Sequence, residues 1–151
     1  MVRDHLIVPR NSTGLPVSIW SVGCSTGDEP YSIAIATCAA SCTNVQILAT
    51  DVRTDVLGQA ERGRYSPRHL RHVGRGRYRW FDRAGGDFAV VRELRGLVSF
   101  RRHDVMRDPP LTPGELSRAN QSLWDVIFCR NVLVYYDRED VKRALFSLGS
   151  V

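Results

Sequence analysis

Four short apolar runs divide the chain at spacings wide enough for an intervening helix, and each stops at a polar residue or a glycine. The first, VSIWSV at 17–22, alternates apolar with small polar residues and breaks at Gly23, the pattern of a strand entering a tight turn. VQILA at 45–49 stops at Thr50 and Asp51, LVSF at 97–100 leads to Asp104, and DVIFC at 125–129 is the most continuous run of the set. Segments of helical spacing lie between them. Tyr31, Ala34, Ile35 and Cys38 form one apolar stripe, preceded by Asp28, Glu29 and Pro30, which suit a helix N-terminus. Residues 54–61 and 140–148 also read as helices. Strands that alternate with helices, and are apolar along most of their length, predict a parallel sheet covered on both faces and therefore an α/β fold.

A chain of 151 residues has room for one such domain. Residues 1–16 contain Pro9, Asn11, Ser12, Gly14 and Pro16 without periodicity and read as an irregular lead-in, which leaves 17–151 for the domain. Residues 62–96 break the alternation with Gly63, Pro67, Gly74, Gly76, Gly85, Gly86 and Gly96, and so read as an insertion. Within it, 78–81 and 88–91 are expected to pair as a hairpin about Ala84-Gly85-Gly86-Asp87. No run approaches the roughly 18 apolar residues of a membrane span, and the apolar core of the opening MVRDHLIVPR is too short for a signal peptide. Membrane insertion is not expected, and a cytoplasmic protein is. Cys24, Cys38, Cys42 and Cys129 include no CxxC pair and read as reduced thiols, with Cys38 and Cys42 packing in the core.

Lys and Arg number 21 against 16 Asp and Glu, for a formal charge of +5. Arg62, Arg64, Arg68, Arg71, Arg75, Arg77 and Arg79 follow one another with no acid between residues 62 and 79, a solvated basic face suited to acidic partners. His69 and His72 lack the carboxylate or thiol company of a metal site, and none is expected.

Ligands of open α/β sheets bind beyond the carboxyl ends of the strands. Gly23-Cys24-Ser25-Thr26-Gly27 follows the first strand, a loop whose backbone can approach a ligand, yet its spacing is neither of the two common phosphate fingerprints. Asp28 and Glu29 directly after it disfavour a pyrophosphate and tolerate a cation. Asp51 alone reads equally as a helix cap or as a ribose ligand; together with the loop it favours a nucleoside without phosphates. S-adenosylmethionine has that chemistry.

These residues also carry a family resemblance. IWSVGCSTGDEPYSIAI at 19–35, ILATDVRTDVL at 47–57, VSFRRHDV at 98–105 and WDVIFCRNVLVYYD at 124–137 resemble, in order and spacing, four motifs of the chemotaxis receptor methyltransferases. That family is of the CheR type and transfers methyl from S-adenosylmethionine to receptor glutamates. The resemblance implies a Rossmann-like class I methyltransferase sheet with a small antiparallel β insertion, and protein-glutamate O-methyltransferase activity. It implies that Gly23 lies in the cofactor loop, that Glu29 meets the amino-acid end of the cofactor, and that Asp51 binds ribose. Asp104 and Val105 then bracket adenine, Cys129, Arg130 and Asn131 lie beside the cofactor, and Tyr135 sits near the transferring methyl, its alternative being an aromatic in sheet-to-helix packing. Asp104 stands where many members have Asn, and a carboxylate accepts but cannot donate. The implied partners are methyl-accepting chemotaxis receptors, docked in some members by strand addition to the insertion. Nucleic acid is not an expected substrate, because the aromatic-proline tetrapeptides of base amino methylation are absent. The family's helical N-terminal domain, its Pro-Gly-Gly turn and its final strand pair fall outside the match, so a non-catalytic receptor-binding adaptor is the alternative reading. That truncation also predicts an open edge on the fourth strand.

Overall fold

A computed structural model describes residues 16–42, 44–72, 74–115 and 123–150. The lead-in proposed for 1–16 lies outside the described residues except for Pro16. Among them, four parallel strands form the central sheet: β1 (Val17–Val22), β2 (Val45–Asp51), β6 (Val98–Arg102) and β7 (Val126–Cys129), in the order β6-β2-β1-β7. The helices are α1 (Asp28–Ala39), α2 (Thr54–Arg62), the single turn α3 (Arg92–Arg95) and α4 (Arg138–Leu148), capped by the Asp137 carboxylate. Between α2 and α3, β3 (Arg64–Tyr65), β4 (Phe81–Ala84) and β5 (Asp87–Val90) build an antiparallel sheet in the order β3-β5-β4. The parallel α/β sheet is the architecture that the alternating strand and helix signals predict, and the small antiparallel insertion is the one that the family resemblance implies.

The period of two along each strand sorts the core into two layers. Val17, Ile19, Val45, Ile47 and Ala49 face Tyr31, Ala34 and Ile35 of α1, Leu57 of α2, Leu94 of α3 and Tyr65, Leu70 and Val90 of the insertion. Trp20, Val22 and Leu48 face the other way, against Leu111, Trp124 and Leu148. Trp20 is wholly buried, donates from Nε1 to Thr50 Oγ1 at 3.0 Å, and stacks at 5.7 Å on Trp124, whose own Nε1 donates to Leu111 O. Helices and irregular chain thus cover both faces. Cys42 is buried and Cys38 half-buried beside the first layer.

Strand boundaries differ from the sequence pattern at several points: β2 runs on through Thr50 and Asp51, β7 begins at Val126 instead of Asp125, and β6 begins at Val98 instead of Leu97. The β6 ladder continues past the apolar run through Arg101 and Arg102, because Asp51 pairs with Arg102; two arginines on an edge strand also discourage further pairing. In the insertion the hairpin forms about Gly85-Gly86, but Tyr78, Arg79 and Trp80 belong to a 3₁₀ segment, Arg75–Trp80, instead of a strand. Tyr78 Oη donates to Leu70 O at 3.3 Å, the Arg79 guanidinium lies 4.6 Å over the Trp80 ring, and Phe81 N–H closes the 3₁₀ turn on Tyr78 O. Those bonds outweigh the β propensity of the aromatic residues. Val91, expected at the end of the second hairpin strand, instead precedes α3.

Strand β7 forms one edge of the parallel sheet among the described residues. Its N-terminal end is fixed by Asp125, whose Oδ2 accepts from Ser18 N–H at 2.8 Å and Ser18 Oγ at 3.0 Å. No helix among the described residues is long and apolar enough to cross a membrane.

Candidate cofactor site

The register aligns the strand ends that the sequence reading singled out. Val22 pairs with both Thr50 and Cys129, so Gly23, Asp51 and Arg130 lie side by side at the strand ends. The chain order reverses at β1, placing this row at the switch point where open α/β sheets bind ligands.

Gly23 turns the backbone with φ +69°, and a Cβ there would lie 2.2 Å from Val132 Cγ2. The positive φ favours glycine, and the Val132 side chain of the loop after β7 occupies the space that a Cβ would take. Cys24 N–H then donates to Thr50 O at 2.8 Å, extending the strand contact by one residue. Ser25 has φ +49°, an uncommon conformation for a residue with a side chain, and in it the Ser25 N–H donates to Asp51 Oδ2 at 2.8 Å. Asp51 Oδ1 accepts from Arg53 N–H at 3.0 Å. The N-cap position of α2 is held by Arg53, not Asp51. A carboxylate offers about four lone-pair directions, so with two engaged by backbone, Asp51 keeps two for hydroxyl donors.

Two cavities open along this row and share Gly23, Ser25, Arg130 and Asn131. One, of about 520 Å³, is lined by Asp51, His103, Asp104, Val105, Val132 and Tyr135 among others. The second, about 680 Å³, runs along the first turns of α1 past Glu29, Ile33 and Ala36 to Phe128. Both are of the size that small-molecule sites take. Glu29 is anchored by Ser21, whose Oγ donates to Oε1 at 2.9 Å, while Arg130 Nη1 lies 3.9 Å from Oε2. Asp104 Oδ1 accepts from Met106 N–H at 3.0 Å, Asp104 N–H donates to Asp108 Oδ2 at 2.8 Å, and Arg107 lies 3.9 Å from Asp104 Oδ2. One Asp104 oxygen is therefore engaged by its own loop. The Asp108 carboxyl is held below its ordinary range, chiefly by that backbone N–H.

Gly23, Glu29, Asp51, Asp104, Val105, Arg130, Asn131 and Tyr135 all line one cavity or the other. Cys129 lines neither; its half-buried side chain packs in the layer of Trp20 and Val22. Tyr135 is 83% exposed on the cavity rim and is not packed between sheet and helix. Asn131 has φ +57°, directing the chain from β7 across the site. Burial and the nearby Asp51 carboxylate push the Cys24 thiol up to about 12, so this loop cysteine stays protonated at neutral pH.

Four participants escaped the sequence reading. Ser25 acts through its backbone, Ser21 and Val132 through approaches set by the fold, and His103 through a wall position. The imidazole of His103 sits edge-on to Trp20 at 5.4 Å, with Nε2 3.0 Å from Pro109 O, while Nδ1 is buried without a partner among the described residues. Since a carbonyl can only accept, Nε2 carries the proton. Ser21 is one of two serines in β1, and nothing in the sequence distinguishes it from Ser18 as a site residue; the others left no signal either.

Residues 1–149 match the family model described as CheR methyltransferase, SAM binding domain. Chemotaxis protein methyltransferase 2 of Pseudomonas aeruginosa is 39% identical over 138 residues, covering 86% of this chain and 46% of that protein. The chemotaxis protein methyltransferase of Listeria innocua is 32% identical over 148 residues, covering 95% and 52%, and Cher2 of Pseudomonas putida is 32% identical over 162 residues, covering 99% and 56%. The chain spans about half the length of these curated relatives. A glycopeptide N-methyltransferase, MtfA, solved with sinefungin, superposes with TM-score 0.51 at 9% identity, covering 97% of this chain and 43% of that one, which shows a shared fold. The strand order, the glycine loop with its acid and the family match together make this chain a member of the CheR methyltransferase family, corresponding to its S-adenosylmethionine-binding domain.

Proposed function

We propose that residues 17–151, with the insertion at about 62–96, form a protein-glutamate O-methyltransferase domain that acts in the cytoplasm on methyl-accepting chemotaxis receptors or similar signalling proteins. The observation that carries this reading is Asp51, held at the end of β2 by the Ser25 and Arg53 N–H groups and facing a cavity of about 520 Å³. Asp51 is suited to accept both ribose hydroxyls, Val105 and Asp104 to flank adenine, and Glu29 to meet the amino-acid end of the cofactor. For Glu29 to take the cofactor ammonium, the exposed Arg130 has only to swing from its 3.9 Å contact.

S-adenosylmethionine supplies a methyl group activated by a sulfonium. The receptor carboxylate is ionised at neutral pH and needs no general base, so the protein's contribution is alignment and exclusion of water. Gly23 and Asn131 shape the floor between the two cavities. Tyr135, on the rim, is positioned to orient the incoming carboxylate and is assigned no proton transfer. Arg62, Arg64, Arg68, Arg71 and Arg79 are exposed on the insertion side and favour an acidic receptor segment.

Calorimetric titration with S-adenosylhomocysteine tests the reading. The chain should bind near micromolar, about 8 kcal/mol, and Asp51→Ala should lower affinity at least tenfold. Labelled methyl should then pass from the cofactor to receptor glutamates. A cooperatively folded chain that binds no S-adenosylhomocysteine overturns the enzyme reading and leaves the adaptor.

A further inference from the structure

The loop that holds Asp51 is bonded to the antiparallel insertion. Tyr65, on β3, is buried, and its Oη–H donates to Thr26 O at 2.9 Å. The other end of the same peptide unit, Gly27 N–H, donates to Cys24 O at 3.0 Å. Gly27 has φ +90°, and a Cβ on it would lie 3.0 Å from Ala60 Cβ and 3.1 Å from Tyr65 Oη. This peptide plane closes the turn that keeps Ser25 at φ +49° with its N–H on Asp51. A non-glycine residue persists there only when its surroundings over-determine it. The Tyr65 hydroxyl is a side-chain contribution of the insertion to that restraint.

The ring is itself well fixed. It packs edge-on to Tyr31 at 6.3 Å and to Phe81 at 6.5 Å, with His69 tilted against it at 5.7 Å. Tyr31 Oη donates to Ala60 O, and His69 Nε2 lies 3.5 Å from Asp28 Oδ1, so α1, α2 and the insertion meet around the loop. Burial, with Asp28 next in effect, raises the Tyr65 phenol above its ordinary value and keeps it a donor.

Resting on the cofactor reading above, we infer that Tyr65 is a positioning residue for S-adenosylmethionine, acting through the Thr26–Gly27 peptide to hold Ser25 and hence Asp51 in binding geometry. The insertion is thereby part of the cofactor site as well as a candidate receptor-docking element.

Tyr65→Phe keeps the ring and removes the hydroxyl. Binding of S-adenosylhomocysteine should weaken about three- to tenfold, the span expected for one net hydrogen bond. Amide exchange in the unliganded chain should quicken at Ser25 and Gly27 while the amides that pair β4 with β5 keep their protection. A role confined to packing would loosen the β4–β5 amides and spare the affinity. Wild-type affinity in Tyr65→Phe, or unchanged exchange at Ser25 and Gly27, overturns the inference, and so does loss of a cooperative melt, because the hydroxyl would then hold the fold and not the loop. Failure of the wild-type chain to bind S-adenosylhomocysteine instead overturns the cofactor reading, and this inference with it.

Discussion

Gly23→Ala tests whether the contact between the loops after β1 and β7 is as tight as described. Two costs combine. The left-handed φ of +69° disfavours any side chain by about 1–2 kcal/mol. A methyl 2.2 Å from Val132 Cγ2 forces a shift that overpacked sites resist by about 1–3 kcal/mol. The single variant should therefore lose about 2–5 kcal/mol in urea unfolding, with an unchanged m-value. Val132→Ala removes the clashing Cγ2 but not the backbone penalty. In the double variant the two changes should be less than additive, with a coupling of about 1–3 kcal/mol in favour of the pair. Strict additivity would refute the steric part of the reasoning, and a Gly23→Ala chain as stable as wild type would refute both parts. Cofactor affinity provides a second readout: the double variant should recover some binding that the single variant loses.

Two further outcomes follow from buried groups. Cys24 and Tyr31 are both pushed up to about 12 by burial, so above pH 9–10 the unfolded chain releases protons that the folded chain retains. Stability is then full below the unfolded pKa values and falls as pH rises toward 12, by about 1.4 kcal/mol per pH unit for each group; pH-dependent melts of Cys24→Ala and Tyr31→Phe should show shallower alkaline losses. Asp125→Ala strips the Ser18 N–H and hydroxyl of their shared acceptor in a buried position and should cost about 2–4 kcal/mol in urea unfolding, with Asp125→Asn costing less; equal effects of the two would argue against the hydrogen bonds.

The central sheet was legible because its cue is local. VSIWSV begins and ends where β1 does, and the acids and glycines marking the strand ends converge because the register places Val22, Thr50 and Cys129 in one row. What stayed hidden depends on partners distant in sequence. Tyr78 to Trp80 include β-forming side chains, yet Leu70 O accepts from the Tyr78 hydroxyl and Phe81 N–H bonds Tyr78 O in a 3₁₀ turn. Cys129 sits at the end of a strand, as the site residues do, but the period of two turns it into the apolar layer while Arg130 and Asn131 reach the cavities. Ser25 and Tyr65 serve through a backbone N–H and a hydroxyl aimed at a carbonyl, and neither leaves a spacing that a reader of the sequence could recognise.

The Ser18 to Asp125 contact joins residues 107 positions apart, and it places a constraint on how the chain emerges from the ribosome. Until Asp125 and β7 follow, the side of β1 that pairs with β7 lacks that partner strand, because β1 is made well before β7. At about 5–20 residues per second, that interval lasts on the order of 5–20 seconds, during which β2 and α1 can dock but the opposite edge of VSIWSV stays open. Nascent chains arrested before residue 125 should therefore be the form that holdase chaperones engage, and release should coincide with synthesis of β7.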